Sequence, residues 1–119
     1  MEHTMNRRFL ENCVLIVICL LMAGCSGDTG AQLYNARGIV QYALGNTEGA
    51  ISDYDQAIAL GSSYSFYYNR GLAHFIIGNH QTAIEDFDRS IALNADYANA
   101  YYGRGAVKVN FRDYEGAIE

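Results

Sequence analysis

The sequence predicts an all-α solenoid of stacked helix pairs. Three observations carry that prediction: an internal repeat, the absence of proline, and glycine-asparagine pairs at fixed places within the repeat. Tyr34-Asn35-Ala36-Arg37-Gly38 matches Tyr67-Tyr68-Asn69-Arg70-Gly71 after 33 residues and Tyr101-Tyr102-Gly103-Arg104-Gly105 after 34 more. The same steps carry Ala50-Ile51 onto Ala83-Ile84 and Ala117-Ile118, and Asp53-Tyr54-Asp55 onto Asp86-Phe87-Asp88. Self-similarity at that period signals units that bury their apolar faces only by stacking.

Each element follows from local chemistry. In the second unit Tyr67, Gly71 and His74 share one helical face, as do Ala83, Phe87 and Ser90 further on. Gly45-Asn46 and Gly78-Asn79 end the first helix of each pair, because both residue types accept the left-handed conformation. Register places the third such end at Arg112-Asp113. A glycine inside a helix costs about 1 kcal/mol, so Gly38, Gly71 and Gly105 call for close helix packing. Tyr54 and Phe87 are expected to fill the space beside the next unit's first helix. Helices of this length are marginal alone, so stacking must supply the stability.

On these positions residues 31–119 resemble the tetratricopeptide repeat, a helix-turn-helix unit of about 34 residues. The resemblance implies an α-α superhelix of about two and two-thirds repeats, at 31–63, 64–97 and an incomplete 98–119. The family's usual proline after the second helix is replaced by Ser62 and Ala95. The third repeat stops in the opening turn of its second helix, so the sequence reads as a fragment.

The N-terminal region reads as an address. Arg7 and Arg8 precede an apolar run from Cys13 to Ala23, which is the layout of a secretory signal. A membrane-spanning helix needs about 20 apolar residues, more than this run supplies. Leu21-Met22-Ala23-Gly24-Cys25-Ser26 resembles the lipobox of bacterial lipoproteins, with Met22 where leucine is usual. That resemblance implies a signal peptide over 1–24, cleavage after Gly24, and lipidation of Cys25. Residues 25–30 then comprise the lipidated cysteine and a short polar tether. Cys13 and Cys19 leave with the signal, so Cys25 is the one cysteine of the processed chain and no disulfide is expected. Ser26 in place of aspartate favours, by analogy with enterobacterial sorting, the periplasmic face of the outer membrane.

Composition and motifs exclude several functions. A net charge of -5 supplies no basic stripe for nucleic acid. His74 and His80 have no cysteine or second histidine at ligand spacing, so no metal or cofactor is expected. Glu85-Asp86-Asp88 and Asp53-Asp55 recur with the repeat and read as an exposed helix face, not an acid-base pair. The glycines follow the repeat and form no phosphate loop. No enzymatic activity is expected.

Arg37, Arg70 and Arg104 recur while other charges drift. The expected role is structural, each pairing with an acid of the preceding second helix: Asp53 with Arg70 and Asp86 with Arg104.

In the family, first helices line a concave groove. Position by position, this implies a partner surface of Gln32, Asn35, Ile39 and Tyr42 in repeat one. Repeat two adds Ser65, Tyr68, Leu72, Phe75 and Ile76, although Phe75 and Ile76 read equally well as packing residues. Repeat three adds Asn99, Tyr102, Ala106, Val109 and Asn110. This surface is aromatic, rich in amides and uncharged, which suits peptide recognition. The lysine, asparagine and arginine clamp that some family members use for chaperone C-termini is absent, so carboxylate-clamp activity is not expected. The expected function is a lipid-anchored adaptor of the bacterial envelope that binds a protein or peptide. The alternative is the N-terminal scaffold of a longer enzyme or self-assembling protein.

Overall fold

The structure, a computed structural model, describes residues 11–15 and 28–116, with side chains through Arg112. Residues 11–15 are helical. The body comprises α1 (Asp28–Ala43), α2 (Thr47–Leu60), α3 (Tyr64–Ile76), α4 (His80–Leu93) and α5 (Ala98–Gly116). Helices α1 and α2 form one antiparallel pair and α3 and α4 the next, with α5 stacked on both members of the second pair. The all-α repeat solenoid expected from the period is the fold observed. Among the described residues no helix is long and apolar enough to cross a membrane.

The two turns within pairs share one backbone design. Gly45 and Gly78 adopt φ of 85° and 89°, a region that costs other L-residues roughly 1 kcal/mol or more. The amides of Gly45 and Asn46 reach back to the Tyr42 and Gln41 carbonyls at 3.0 and 2.9 Å. Those of Gly78 and Asn79 reach Phe75 and His74 at 3.1 and 2.8 Å. Both ends thereby satisfy carbonyls that a helix terminus leaves open. The chain then enters the second helix directly, with Asn46 accepting from the Gly49 amide at 3.1 Å as a cap.

Two boundaries differ from expectation. The turn expected at Arg112-Asp113 is absent: α5 continues through it to Gly116, because Arg112 stands where the other two turns have the glycine of positive φ. At the other end α1 begins at Asp28, so Asp28, Thr29 and Gly30 are helix, not tether. Asp28 favours this start by complementing the helix dipole, and a side-chain carbon at Gly30 would lie 3.4 Å from Leu60. The expectations for the signal peptide cleavage site, Cys25 and Ser26 lie outside the described residues.

The core consists of three linked clusters. Ala31, Ala57 and Phe66 join α1, α2 and α3. Ala50, Tyr54 and Ala73 join α2 to α3. Ala83, Phe87 and Val107 join α4 to α5, flanked by Tyr68, Leu72 and Phe75 of α3. Burying one such ring contributes about 2–3 kcal/mol. The glycines make room for these rings: a side-chain carbon at Gly38 would lie 2.6 Å from Tyr54, and one at Gly71 3.0 Å from Phe87. Gly105, their counterpart by register, meets nothing within 4 Å; Gly103 packs against Phe87 instead, at 2.8 Å. The reason is positional, since the described residues place no second helix against Gly105. Tyr54 and Phe87 do fill the space beside the next first helix, as expected.

Candidate functional site

The recurring arginines bind acids in a different register from the one expected. Arg37 donates from Nε to Asp53 at 2.9 Å, and Arg70 donates from Nε and Nη2 to Asp86 at 2.9 and 2.8 Å. Each acid lies on the following helix of the same pair, not on the preceding one. The acids reached on the preceding helix are two residues later than expected: Arg70 Nη1 binds Asp55 and Arg104 Nη1 binds Asp88, both at 2.8 Å. The Asp53–Arg70 and Asp86–Arg104 pairs are therefore corrected. The physical reason is hairpin geometry, which sets the arginine beside the acid 16 residues on. Asp53 and Asp86 are buried, so they too depart from the exposed acidic face expected. Each guanidinium also lies 5.3–5.6 Å over the tyrosine three residues before it, Tyr34, Tyr67 or Tyr101. The Asp86 hydrogen bond, with a further contribution from Asp55, raises the Arg70 pKa despite partial burial. Through these ion pairs the arginines tie neighbouring helices together.

The groove residues divide into two sets. Asn35 is buried, and its side-chain Oδ1 accepts from Asn69 Nδ2 at 2.9 Å, tying α1 to α3. Tyr42 packs on the Ala50–Tyr54–Ala73 cluster, and Leu72 and Phe75 pack on Phe87. Tyr68 is half-buried between Phe87 and Tyr97, its ring 5.2 Å from Tyr97 edge-on. Burial raises its phenol pKa. Ser65 is half-buried with its hydroxyl 3.0 Å from that of Ser63. These residues set the walls. The exposed set comprises Gln32, Ile39, Ile76, Asn99, Val109, Asn110 and Tyr102, the last 82% exposed.

Several of these residues meet in one depression. Phe75, Tyr102, Gly105, Ala106, Val109 and Asn110 line an open cleft of about 770 Å³ on α3 and α5. Its lining is aromatic and aliphatic with one amide and no charged side chain. Sequence reasoning missed Gly105 here, and missed Asn69 and Tyr97 as supports. The 34-residue interval between Asn35 and Asn69 was the available signal for the amide pair. A second depression, of about 540 Å³, lies on the outer face of α1 among Leu33, Tyr34, Ala36, Arg37 and Val40, with Leu15 at its rim. Its residues sit where Phe66 and Ala73 are buried one repeat later.

His74 and His80 lie apart from this chemistry. His74 Nδ1 is 3.3 Å from Asn79 Nδ2, and the His80 ring lies between Phe75 and Phe111 at 5.8 and 6.0 Å. Among the described residues, no three histidine, cysteine or acidic side chains gather to hold a metal ion.

Two features, the repeated turn and the glycine-aromatic contact, define each helix pair, and the sequence profile described as Tetratricopeptide repeat matches residues 35–98, over half of the chain. The chain belongs to the tetratricopeptide repeat family. No curated protein matches it. Among solved structures it is similar to the second TPR of Spaghetti (RPAP3) bound to HSP90 peptide SRMEEVD. That match has 26% identity and a TM-score of 0.69, covering 72% of this chain and 81% of that one. The first TPR of Spaghetti (RPAP3), bound to the same peptide, aligns at 25% identity and TM-score 0.70, covering 76% and 74%. MamA aligns at 28% identity and TM-score 0.68, covering 85% of this chain and 58% of that one. Tetratricopeptide repeats of this kind are interaction modules, and the first two neighbours bind a peptide.

Proposed function

We propose that the chain is a non-enzymatic adaptor that binds a protein segment along α1, α3 and α5, held in the bacterial envelope by a lipid on Cys25. The uncharged cleft of Phe75, Tyr102, Ala106, Val109 and Asn110 carries the binding part of this reading. Tyrosine offers a large contact area at low entropic cost. An acidic terminus in such a cleft would lose its hydration without gaining a cation. The partner is therefore an apolar or aromatic segment with neutral polar groups. This differs from the acidic peptide SRMEEVD carried by the two neighbours.

Titration of the chain with labelled SRMEEVD and with an uncharged aromatic peptide library tests the specificity. Library members that bind and lose affinity on Tyr102→Ala support the reading; preferential binding of SRMEEVD contradicts it. The anchor rests on Arg7, Arg8, the apolar run and Ala23-Gly24-Cys25. A two- or three-chain anchor, at about 0.8 kcal/mol per buried methylene, would hold the protein to a membrane essentially permanently. Labelled fatty acid should enter the wild type and not Cys25→Ser, with the variant leaving the membrane fraction. Equal fractionation without label in either protein would refute lipidation. An outer-membrane position on the periplasmic side, from Ser26, is part of the same proposal.

A further inference from the structure

Tyrosine is the oxidisable residue of the repeats. All three cysteines and all three methionines lie within the first 25 residues, all ten tyrosines lie beyond them, and the sequence has no tryptophan. A one-electron oxidant that reaches the folded repeats therefore meets phenols and not the usual sulfur sinks. Two of these phenols are held together. Tyr64 opens α3 and Tyr97 stands just before α5, with ring centroids 4.8 Å apart and planes tilted by 58°. Both backbones are fixed: the Tyr64 carbonyl accepts from the buried Ser90 Oγ at 2.8 Å, and the Tyr97 amide donates to the Asn94 carbonyl at 3.1 Å. Tyr64 is 37% exposed and Tyr97 half-buried, so the pair is open to solvent. Tyr68 also meets the Tyr97 ring, edge-on at 5.2 Å. It is packed on Phe87, however, and burial raises its phenol pKa, which opposes the proton loss that oxidation requires. Repeat register does not demand the pair, because the counterparts of Tyr64 and Tyr97 one repeat earlier are Ala31 and Ser63.

We propose that Tyr64 and Tyr97 form an oxidative cross-linking site, joined as dityrosine when hydrogen peroxide acts through a one-electron oxidant such as a haem peroxidase. Each phenol gives up one electron and one proton. The two radicals then couple through a carbon-carbon bond between ring carbons ortho to the hydroxyls. The hydrogens at those carbons move to the phenol oxygens, so the protein loses two hydrogens in all. One hydrogen peroxide takes up both electrons and both protons and leaves as two waters. Fixed proximity favours coupling within the chain over coupling between chains. The new bond ties α3 to the start of α5, the two helices that line the cleft of Phe75 and Tyr102, and so fixes the second repeat against the third.

The full chain, its cysteines alkylated, is treated with hydrogen peroxide and a haem peroxidase, separated by size and digested with trypsin. The expected product is a monomer with dityrosine fluorescence. In its digest residues 38–70 are joined to residues 90–104 with loss of two hydrogens, and fragment ions place the link at Tyr64 and Tyr97. Tyr64→Phe and Tyr97→Phe keep the ring and should each lower the monomer's dityrosine about 10-fold, as loss of a preset neighbour requires. Tyr67→Phe and Tyr101→Phe alter the same two tryptic peptides and should leave it unchanged. Dityrosine confined to covalent dimers would overturn the inference. So would a monomer signal that survives Tyr64→Phe or Tyr97→Phe, or no dityrosine at oxidant levels that modify Tyr102, which is 82% exposed.

Discussion

Three glycines that the repeat makes equivalent should respond oppositely to one methyl group. Gly→Ala gains about 1 kcal/mol of helix propensity wherever the methyl is free. At Gly105 it is free, since a side-chain carbon meets nothing within 4 Å, so Gly105→Ala should stabilise by about 1 kcal/mol. At Gly38 the methyl would lie 2.6 Å from Tyr54 Cε1 and 2.8 Å from Cδ1. Tyr54 is 2% exposed and packed with Ala50 and Ala73, so its ring has no room to swing away. Overpacking of this kind costs about 1–3 kcal/mol, leaving a net loss of about 1 kcal/mol after the helical gain. Gly71, at 3.0 Å from Phe87, falls between the two. In a domain of this size the two extremes should differ by roughly 10 °C in melting temperature. Thermal unfolding followed by circular dichroism measures it. A higher Tm for Gly38→Ala, or a lower one for Gly105→Ala, would refute the packing argument.

The arginine register can be tested by charge exchange. Removing Asp86 should cost about 3 kcal/mol, because it strands the partner of a largely buried pair. The Arg70/Asp86 swap should recover part of that loss, while an Arg70/Asp53 swap should recover none; the reverse outcome in urea unfolding would restore the register rejected above. Alkaline stability offers a second test. Burial pushes the Tyr54 phenol up to about 12, above its unfolded value near 10. The unfolded chain loses that proton first, so stability is full below about pH 10 and falls by roughly 2–3 kcal/mol as pH rises through 12. Tyr54→Phe, which imitates Phe87 one repeat on, should remove this component. An unchanged alkaline unfolding midpoint in the variant would show that Tyr54 titrates normally.

The sequence reading succeeded where the backbone leaves little choice. A turn that needs positive φ exposes itself as Gly45-Asn46 and Gly78-Asn79, and a recurring helical glycine implies a ring opposite. It failed where the answer depended on how two helices rotate against each other. Arg70 has acids within reach on both neighbouring helices, and only the hairpin's rotation selects Asp86 and Asp55 over Asp53. The constant interval from Arg37 to Asp53 and from Arg70 to Asp86 was the unused clue. Register also carried too far at the third repeat. It assigned Arg112-Asp113 a turn, although the glycine that enforces the turn at Gly45 and Gly78 is replaced there by Arg112.

The groove shows the same division. First-helix positions were carried over as one uniform surface, but position alone does not distinguish a wall from a contact. Asn35, Tyr42, Tyr68, Leu72 and Phe75 meet neighbouring segments because those segments present Asn69, Tyr54, Tyr97 and Phe87. Tyr102 and Val109 lack such neighbours and remain open, so Tyr102 is the informative position to alter and Tyr68 is not.

The adaptor reading is tested most directly by site-specific photocrosslinking in the cell that makes the protein. A benzoylphenylalanine placed at Tyr102 samples the cleft, and one placed at Gln56 or Arg89 samples exposed positions on the second helices. The account predicts a discrete crosslinked partner from Tyr102 that is absent from Gln56 and Arg89. The same partner captured equally from the second helices, with none from Tyr102, would contradict it.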